Sequence, residues 1–353
     1  MKRVAVLGAT GSIGRQALEV IEANPGLELV AASSGSQPIE GIASLTQVGG
    51  DPVELLEQAN PDVVLNAIVG FAGVTATLWT LEHGIDLALA NKESLVAAGD
   101  LALAARERGG GRLLPVDSEH SAVFQCLEGR KAETVHSIVL TASGGPFRGR
   151  NRSALEDVTP DDALAHPTWQ MGPKITVDSA TLANKGLEVL EAHFLFVLPY
   201  DRIEVVIQPT SIVHALVRLR DGAALAHLGY PDMRVPISYA LTYPDRASVD
   251  LAPLDLASGL TLEFEPVDTD AFPLLGLARK AGELGGTYPC AFNAANEIAV
   301  AAFLEGRLPF LGIADVVEET LEQSIGAPAS DIEELIEADT QARTIAERGM
   351  ALA

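Results

Sequence analysis

Lysine is scarce in this sequence. Six lysines stand in 353 residues, against 48 acidic residues and a formal net charge of −24. A field of that sign excludes nucleic acid and anionic membrane as partners, because it repels their phosphates. Any site for a phosphorylated metabolite must therefore be built locally. Cysteine is scarcer still. Cys126 and Cys290 form neither a CxxC pair nor a disulfide framework, and a reducing cytoplasm is the expected home. Aromatic residues make up 5% of the chain, so its cores must be aliphatic. No run of about 18 uncharged apolar residues occurs, and no helical membrane span is expected. Lys2 and Arg3 open like a secretory leader, but Gly8 and Gly11 break the apolar run behind them, which reads instead as a buried strand.

The length suits two or three domains. RVAVL at 3–7 reads as a buried parallel strand. GATGSIG follows, then an amphipathic helix that must stop near Asn24-Pro25. Strands at 29–32, 62–70, 85–90 and 112–116 alternate with helical stretches at 73–84 and 91–111. This βαβα order predicts an α/β fold with a Rossmann-like, doubly wound parallel sheet over 1–116, although the stretch 36–60 is short for full crossovers. An α+β catalytic domain is expected over 117–242, with a hairpin turning at Asp221-Gly222 and one helix across SATLANKGLEVLEAHFLF. A linker follows at 243–268, then a small C-terminal helical domain at 269–353.

GATGSIG lies after a strand and before a helix, where small residues let backbone N–H groups and the helix N-terminus meet a pyrophosphate. Thr10, Gly11, Ser12 and Ile13 are in position for it. The second strand runs into Ser33-Ser34-Gly35-Ser36-Gln37. No carboxylate is there to repel a 2′-phosphate and no cation to attract one, which leans towards NADPH.

PVDSEHSAVFQ at 115–125 brings Asp117 and Glu119 to the carboxyl end of the sheet. Read as an extended segment, it puts both carboxylates on one side and His120 on the other. NKGLEVLEAHF offers a third acid, either Glu188 or Glu191, three apart on a helix. Three hard oxygen donors with open positions suit Mg²⁺ or Mn²⁺. Ser143 with Gly144 and Gly145 could form an anion nest. Ser179, Asn184 and Lys185 supply the hydroxyl, amide and ammonium that a phosphate and a polyol require. The polar passage 143–179 reads as a lid or a binding loop, with His166, Trp169, Met171 and Gly172 near its tip. His83, His136, His193, His214 and His227 read as structural or exposed.

GATGSIG, LANKESLVAAG, LPVDSEHSAVFQ, ASGGPF, HPTWQMG, ITVDSATLANKGLEVLEA, LGYPDMRVPI and FNAANEIAVAAFL occur in that order. Together they resemble the 1-deoxy-D-xylulose 5-phosphate reductoisomerase family over essentially the whole chain. The resemblance implies NADPH-dependent isomerisation and reduction of 1-deoxy-D-xylulose 5-phosphate to 2-C-methyl-D-erythritol 4-phosphate by a cytoplasmic homodimer. It also implies Mg²⁺, Mn²⁺ or Co²⁺ as Lewis acid, and a carbon–carbon bond that breaks and reforms before hydride arrives. By motif, Asp117, Glu119 and Glu188 would be the metal ligands, with Glu191 near. Ser118, Ser143, His166, Trp169, Ser179, Asn184 and Lys185 would meet substrate. Thr10, Gly11, Ser12, Ile13, Gly35, Ser36, Gln37, Asn91, Lys92, Glu93, Gly172 and Met233 would face NADPH.

Family members often carry a lysine or other polar group and an asparagine after the position of Gly35, and this chain has Ser36 and Gln37 instead. Two rival readings are an aspartate-semialdehyde-type dehydrogenase and a nucleotide-binding scaffold without catalysis. The first needs a cysteine nucleophile with a base, which neither Cys126 nor Cys290 has in sequence. The second leaves the acids and the lid residues without a task.

Overall fold

The structure is a computed structural model that describes residues 1–39 and 41–350. It falls into two compact units. One comprises Met1–Leu95, Gly99–Gln125 and Asp232–Leu254; the other comprises Val96–Ala98, Cys126–Pro231 and Asp255–Ala353.

The first unit holds a sheet of six parallel strands: β1 (Lys2–Leu7), β2 (Leu27–Ser34), β3 (Leu45–Val48), β4 (Val63–Asn66), β5 (Asp86–Leu89) and β6 (Leu113–Pro115). Their order is β3-β2-β1-β4-β5-β6, the doubly wound order with its switch point between β1 and β4. Val4 to Leu7 are fully buried, as a central strand covered on both faces requires. The helix Ser12–Ala23 turns Ala17, Val20 and Ile21 inward and stops at Asn24, before Pro25. Each fully buried leucine, such as Leu65 or Leu114, contributes about 1.5–3 kcal/mol.

The short stretch after β2 contains β3, a strand that the sequence pattern did not show, and the helix Pro52–Ala59. Two glycines with positive φ, Gly49 and Gly50, turn the chain between them, and Asp51 caps the helix by accepting from Val53 N at 2.9 Å.

The second unit holds a mixed sheet of β7 (Val135–Ala142), β8 (Ile203–Ile207), β9 (Val213–Leu219) and β10 (Ala224–Leu228), in the order β10-β9-β7-β8. β9 and β10 form the expected hairpin, with Gly222 at φ +91°. The expected helical segments of the C-terminal region are the helices Leu274–Leu284, Tyr288–Leu304, Gly312–Gln323 and Ile332–Met350.

The units follow contacts and not sequence order, so the division differs from boundaries at 116/117 and 242/243. The helix Arg234–Thr242 presents Ile237, Ala240 and Leu241, an i, i+3, i+4 stripe, to the core that holds Val4, Val6 and Leu65. Lys2 Nζ donates to Leu241 O at 3.0 Å. The segment after Leu254 belongs to the second unit, where Glu265 exchanges both backbone hydrogen bonds with Ile207 at 2.9 Å.

Candidate active site

The first unit carries the glycine loop. A Cβ on Gly14 would meet Gly8 O at 2.2 Å and Ala9 Cα at 2.6 Å. Gly8 lies at φ +80°, and its Cβ would meet Ala67 O at 2.5 Å. These glycines are required by the close approach of backbone to backbone. The helix Ser12–Ala23 begins at Gly11 with no side-chain cap, which fits its N-terminus to an anionic pyrophosphate. Gly35 has open space where a Cβ would stand, and Ser36 and Gln37 are exposed.

Asn91, Lys92 and Glu93 are buried. Asn91 Oδ1 caps the next helix by accepting from Ser94 N at 2.8 Å, and its Nδ2 donates to Gly70 O at 2.8 Å. Lys92 Nζ lies 2.6 Å from Asp117 Oδ2. Met233 packs on the core that underlies the loop. Beside it stands a clamp with no local sequence signal: Arg234 Nε and Nη2 meet Asp232 Oδ1 and Oδ2 at 3.1 and 2.6 Å. That bidentate guanidinium holds the Asp232 carboxyl below the usual carboxylate range.

The segment 117–120 is not extended. Residues Ser118–Leu127 are helical, and Asp117 Oδ1 accepts from the N–H groups of Glu119 at 3.2 Å and His120 at 3.4 Å. Aspartate is a strong cap, and capping wins over strand continuation here. The helix brings His120 to the same carboxylate, with its Nδ1 3.3 Å from Asp117 Oδ1 at i, i+3 spacing. Ser118 donates its hydroxyl to the Glu119 carboxylate.

In the second unit the sequence SATLANKGLEVLEAHFLF is two helices, Pro173–Thr181 and Ala183–Phe196, broken at Leu182 with φ +60°. A leucine in the left-handed region is strained, a feature that recurs at functional sites. On the second helix Asn184 Nδ2 donates to Glu188 Oε1 at 2.6 Å, and Lys185 Nζ donates to Glu188 Oε2. Lys185 and Glu188 are 3% and 1% exposed, and Glu191 is fully buried. Acids this deep need cationic company, from lysine or from a metal.

Two serines converge on His166. Its Nε2 lies 3.1 Å from Ser143 Oγ and 3.1 Å from Ser179 Oγ. Its Nδ1 accepts from Trp169 N at 3.0 Å and from Thr168 N at 3.2 Å. Burial pushes the ring below the ordinary histidine value. Gly144 and Gly145 both have positive φ, and Ser143 Oγ accepts from Gly145 N at 3.2 Å. His214, read from sequence as structural or exposed, is buried, with its ring 6.5 Å from that of Trp169 and 5.6 Å from that of His227.

Residues 4–49 and 46–99 match the family described as 1-deoxy-D-xylulose 5-phosphate reductoisomerase. Residues 113–196 and 228–345 match its two C-terminal domain families. The chain belongs to the 1-deoxy-D-xylulose 5-phosphate reductoisomerase family. It is 50% identical to the reductoisomerase of Leifsonia xyli, over 99% of this chain and 98% of that one. It is 48% identical to that of Geobacillus kaustophilus, over 97% and 98%. Among solved structures it superposes on the reductoisomerase of Zymomonas mobilis in complex with NADPH, with a TM-score of 0.91, 39% identity and 99% of both chains covered. A second match is a reductoisomerase in complex with NADPH, fosmidomycin and magnesium, with a TM-score of 0.92, 36% identity, and 100% and 99% covered. The Rossmann-like sheet, the mixed sheet and the C-terminal helices are thus the architecture of the family.

Within that family, the carboxylates of Asp117, Glu119 and Glu188 are hard oxygen donors of the kind a magnesium ion takes. The uncapped glycine loop is of the kind a dinucleotide takes. The donor chemistry fits both groups.

Proposed function

We infer that this chain converts 1-deoxy-D-xylulose 5-phosphate to 2-C-methyl-D-erythritol 4-phosphate, using NADPH and a divalent cation, in the non-mevalonate route to isoprenoids. The observation that carries the reading is the convergence of Ser143 and Ser179 on His166, on the same unit as the buried pair Lys185–Glu188. Hydroxyls, a neutral imidazole and a lysine suit a phosphorylated polyol.

Asp117, Glu119 and Glu188 would hold the cation, Mg²⁺, Mn²⁺ or Co²⁺. When bound it supplies Lewis acidity at the substrate's ketone oxygen, and NADPH supplies the hydride. The residues do the rest. Ser118, Ser143, Ser179, Asn184 and Lys185 bind and orient the substrate. Lys185 turns from Glu188 towards anionic oxygen. His166 presents an Nε2 proton to the same region. Trp169 and Met171, on the loop that ends at Gly172, exclude water, which strengthens each charged contact to about 1.5–3 kcal/mol. Thr10, Gly11, Ser12 and Ile13 would take the pyrophosphate. Gly35, Ser36, Gln37, Asn91, Lys92, Glu93, Gly172 and Met233 would frame the rest of the dinucleotide. The working form is a cytoplasmic homodimer.

A cysteine-dependent dehydrogenase is disfavoured by the thiols themselves. Cys290 is fully buried, and burial pushes both Cys290 and the half-buried Cys126 above the ordinary thiol value. The deciding test follows NADPH oxidation with 1-deoxy-D-xylulose 5-phosphate after EDTA treatment, with and without Mn²⁺. Turnover should need substrate and metal together. A folded protein that binds NADPH but oxidises none of it with metal present would sink the reading.

A further inference from the structure

Asp178 is a buried carboxylate that the proposed chemistry leaves unused. It is 1% exposed and lies beside Ser179 on the helix Pro173–Thr181. Its Oδ2 accepts from Lys174 Nζ at 2.7 Å, one turn back on the same helix. Its Oδ1 accepts from Asn296 Nδ2 at 2.7 Å, 118 residues further along the chain on the helix Tyr288–Leu304. Asn296 is fully buried, and its Oδ1 has no hydrogen-bond partner among the described residues. An amide buried with one acceptor unused is costly. Packing alone would favour an apolar side chain there, so the amide's use is the bond to Asp178.

The helix held in this way serves the site at three points. It begins at Gly172, where the loop from His166 ends. It presents Ser179 Oγ to His166 Nε2 at 3.1 Å. Its backbone also backs the Gly144-Gly145 turn, so closely that a Cβ on Gly145 would meet Ser179 O at 2.9 Å. A carboxylate held from its own helix and from a distant one resists both rotation and sliding.

We propose that Asp178, clamped between Lys174 and Asn296, is a positioning residue. It sets the rotation and height of Pro173–Thr181, and so the placing of Ser179, His166 and the root of the 166–172 loop. The C-terminal helices thereby take part in substrate recognition without touching substrate. The kinetic arm of its test rests on the reductoisomerase reading; the spectroscopic arm rests on geometry alone.

Asn296→Ala removes one anchor. Lys174→Gln weakens the other, replacing the ammonium by a neutral amide at a side chain 20% exposed. Asn296→Ala should raise KM for 1-deoxy-D-xylulose 5-phosphate about 10-fold or more while kcat and the Kd for NADPH change by less than about threefold. Lys174→Gln should move KM the same way by less. By NMR, the His166 ring, assigned with His166→Gln, should titrate at higher pH in both variants than in the parent chain. Unchanged KM and unchanged titration in both variants would overturn the proposal. So would a fall in NADPH affinity and melting temperature that parallels the rise in KM. If Asn296→Ala does not fold, Lys174→Gln decides. If the parent chain itself shows no turnover, the substrate reading fails and the His166 titration alone decides the positioning role.

Discussion

Trp169 donates its backbone N–H to Nδ1 of His166 at 3.0 Å, three residues back along the same loop. Thr168 N does the same at 3.2 Å. A ring nitrogen that accepts two N–H groups carries no proton. The ring is therefore the tautomer with its proton on Nε2, facing Ser143 and Ser179. Protonating Nδ1 would set three N–H groups against one another and undo the turn that carries Trp169.

The pH dependence follows in sign. Burial holds the folded value of His166 below the ordinary 6.5, so the unfolded or open loop takes up its proton first as pH falls. The neutral ring's contribution is fully present above pH 6.5 and is lost as pH drops through the folded value. The pH profile of kcat/KM should show an acid limb centred below 6.5 that is absent in His166→Gln. The variant should also lose about 10- to 150-fold in kcat/KM, the value of about 1.5–3 kcal/mol. An identical acid limb in the variant would assign the limb to another group.

Glu188 accepts from both Asn184 and Lys185 at 1% exposure. Glu188→Gln keeps the volume and removes one negative charge from the proposed ligand set. Turnover should fall at least about 100-fold, with several kcal/mol of charge stabilisation lost, while circular dichroism and NADPH affinity stay unchanged. Near-normal turnover at saturating Mg²⁺ would remove Glu188 from the ligands.

The legible parts of the sequence were those whose signal is local. β1, its glycine loop and the helix to Asn24 are declared by an apolar run, by glycines and by Pro25. The C-terminal helices are declared by periodicity, and the β9–β10 hairpin by Asp221-Gly222. The strand β3 has only four half-buried or exposed residues and no pattern to read. The break at Leu182 has neither glycine nor proline to announce it. Asp117 resembled a strand end because its capping role appears only once the helix after it is known. Asp178–Asn296 and the attachment of Arg234–Thr242 to the first unit are long-range pairings, which leave no local trace.

Gly14 tests the dinucleotide site apart from the chemistry. Gly14→Ala drives a Cβ against Gly8 O and Ala9 Cα, both backbone atoms that cannot swing aside. The loop must open, at a cost of about 1–3 kcal/mol. NADPH fluorescence titration should show binding weakened by about 10-fold or more, with a lower melting temperature. Unchanged NADPH affinity would move the pyrophosphate away from this loop.

Ser36 tests the choice between NADPH and NADH, because the proposed reading sets it beside the 2′-phosphate. β2 ends at Ser34, whose hydroxyl donates back to Gln37 O, so the exit turn is shaped by its own backbone. Gly35, Ser36 and Gln37 are exposed, with neither cation nor carboxylate among them. Neutral hydroxyl and amide donors hold a 2′-phosphate less firmly than a guanidinium does, and nothing there repels it. The ratio of kcat/KM for NADPH over NADH should therefore be modest. Ser36→Arg should raise it about 10-fold or more, because a charge-assisted bond adds about 1.5–3 kcal/mol. Raising the ionic strength should erase much of that gain, since the new side chain stands in solvent. A ratio that does not respond to Ser36→Arg would place the 2′-phosphate elsewhere on the unit, and Arg15, which donates to Thr10 O at 2.5 Å from the first turn of its helix, would be the next cation to replace.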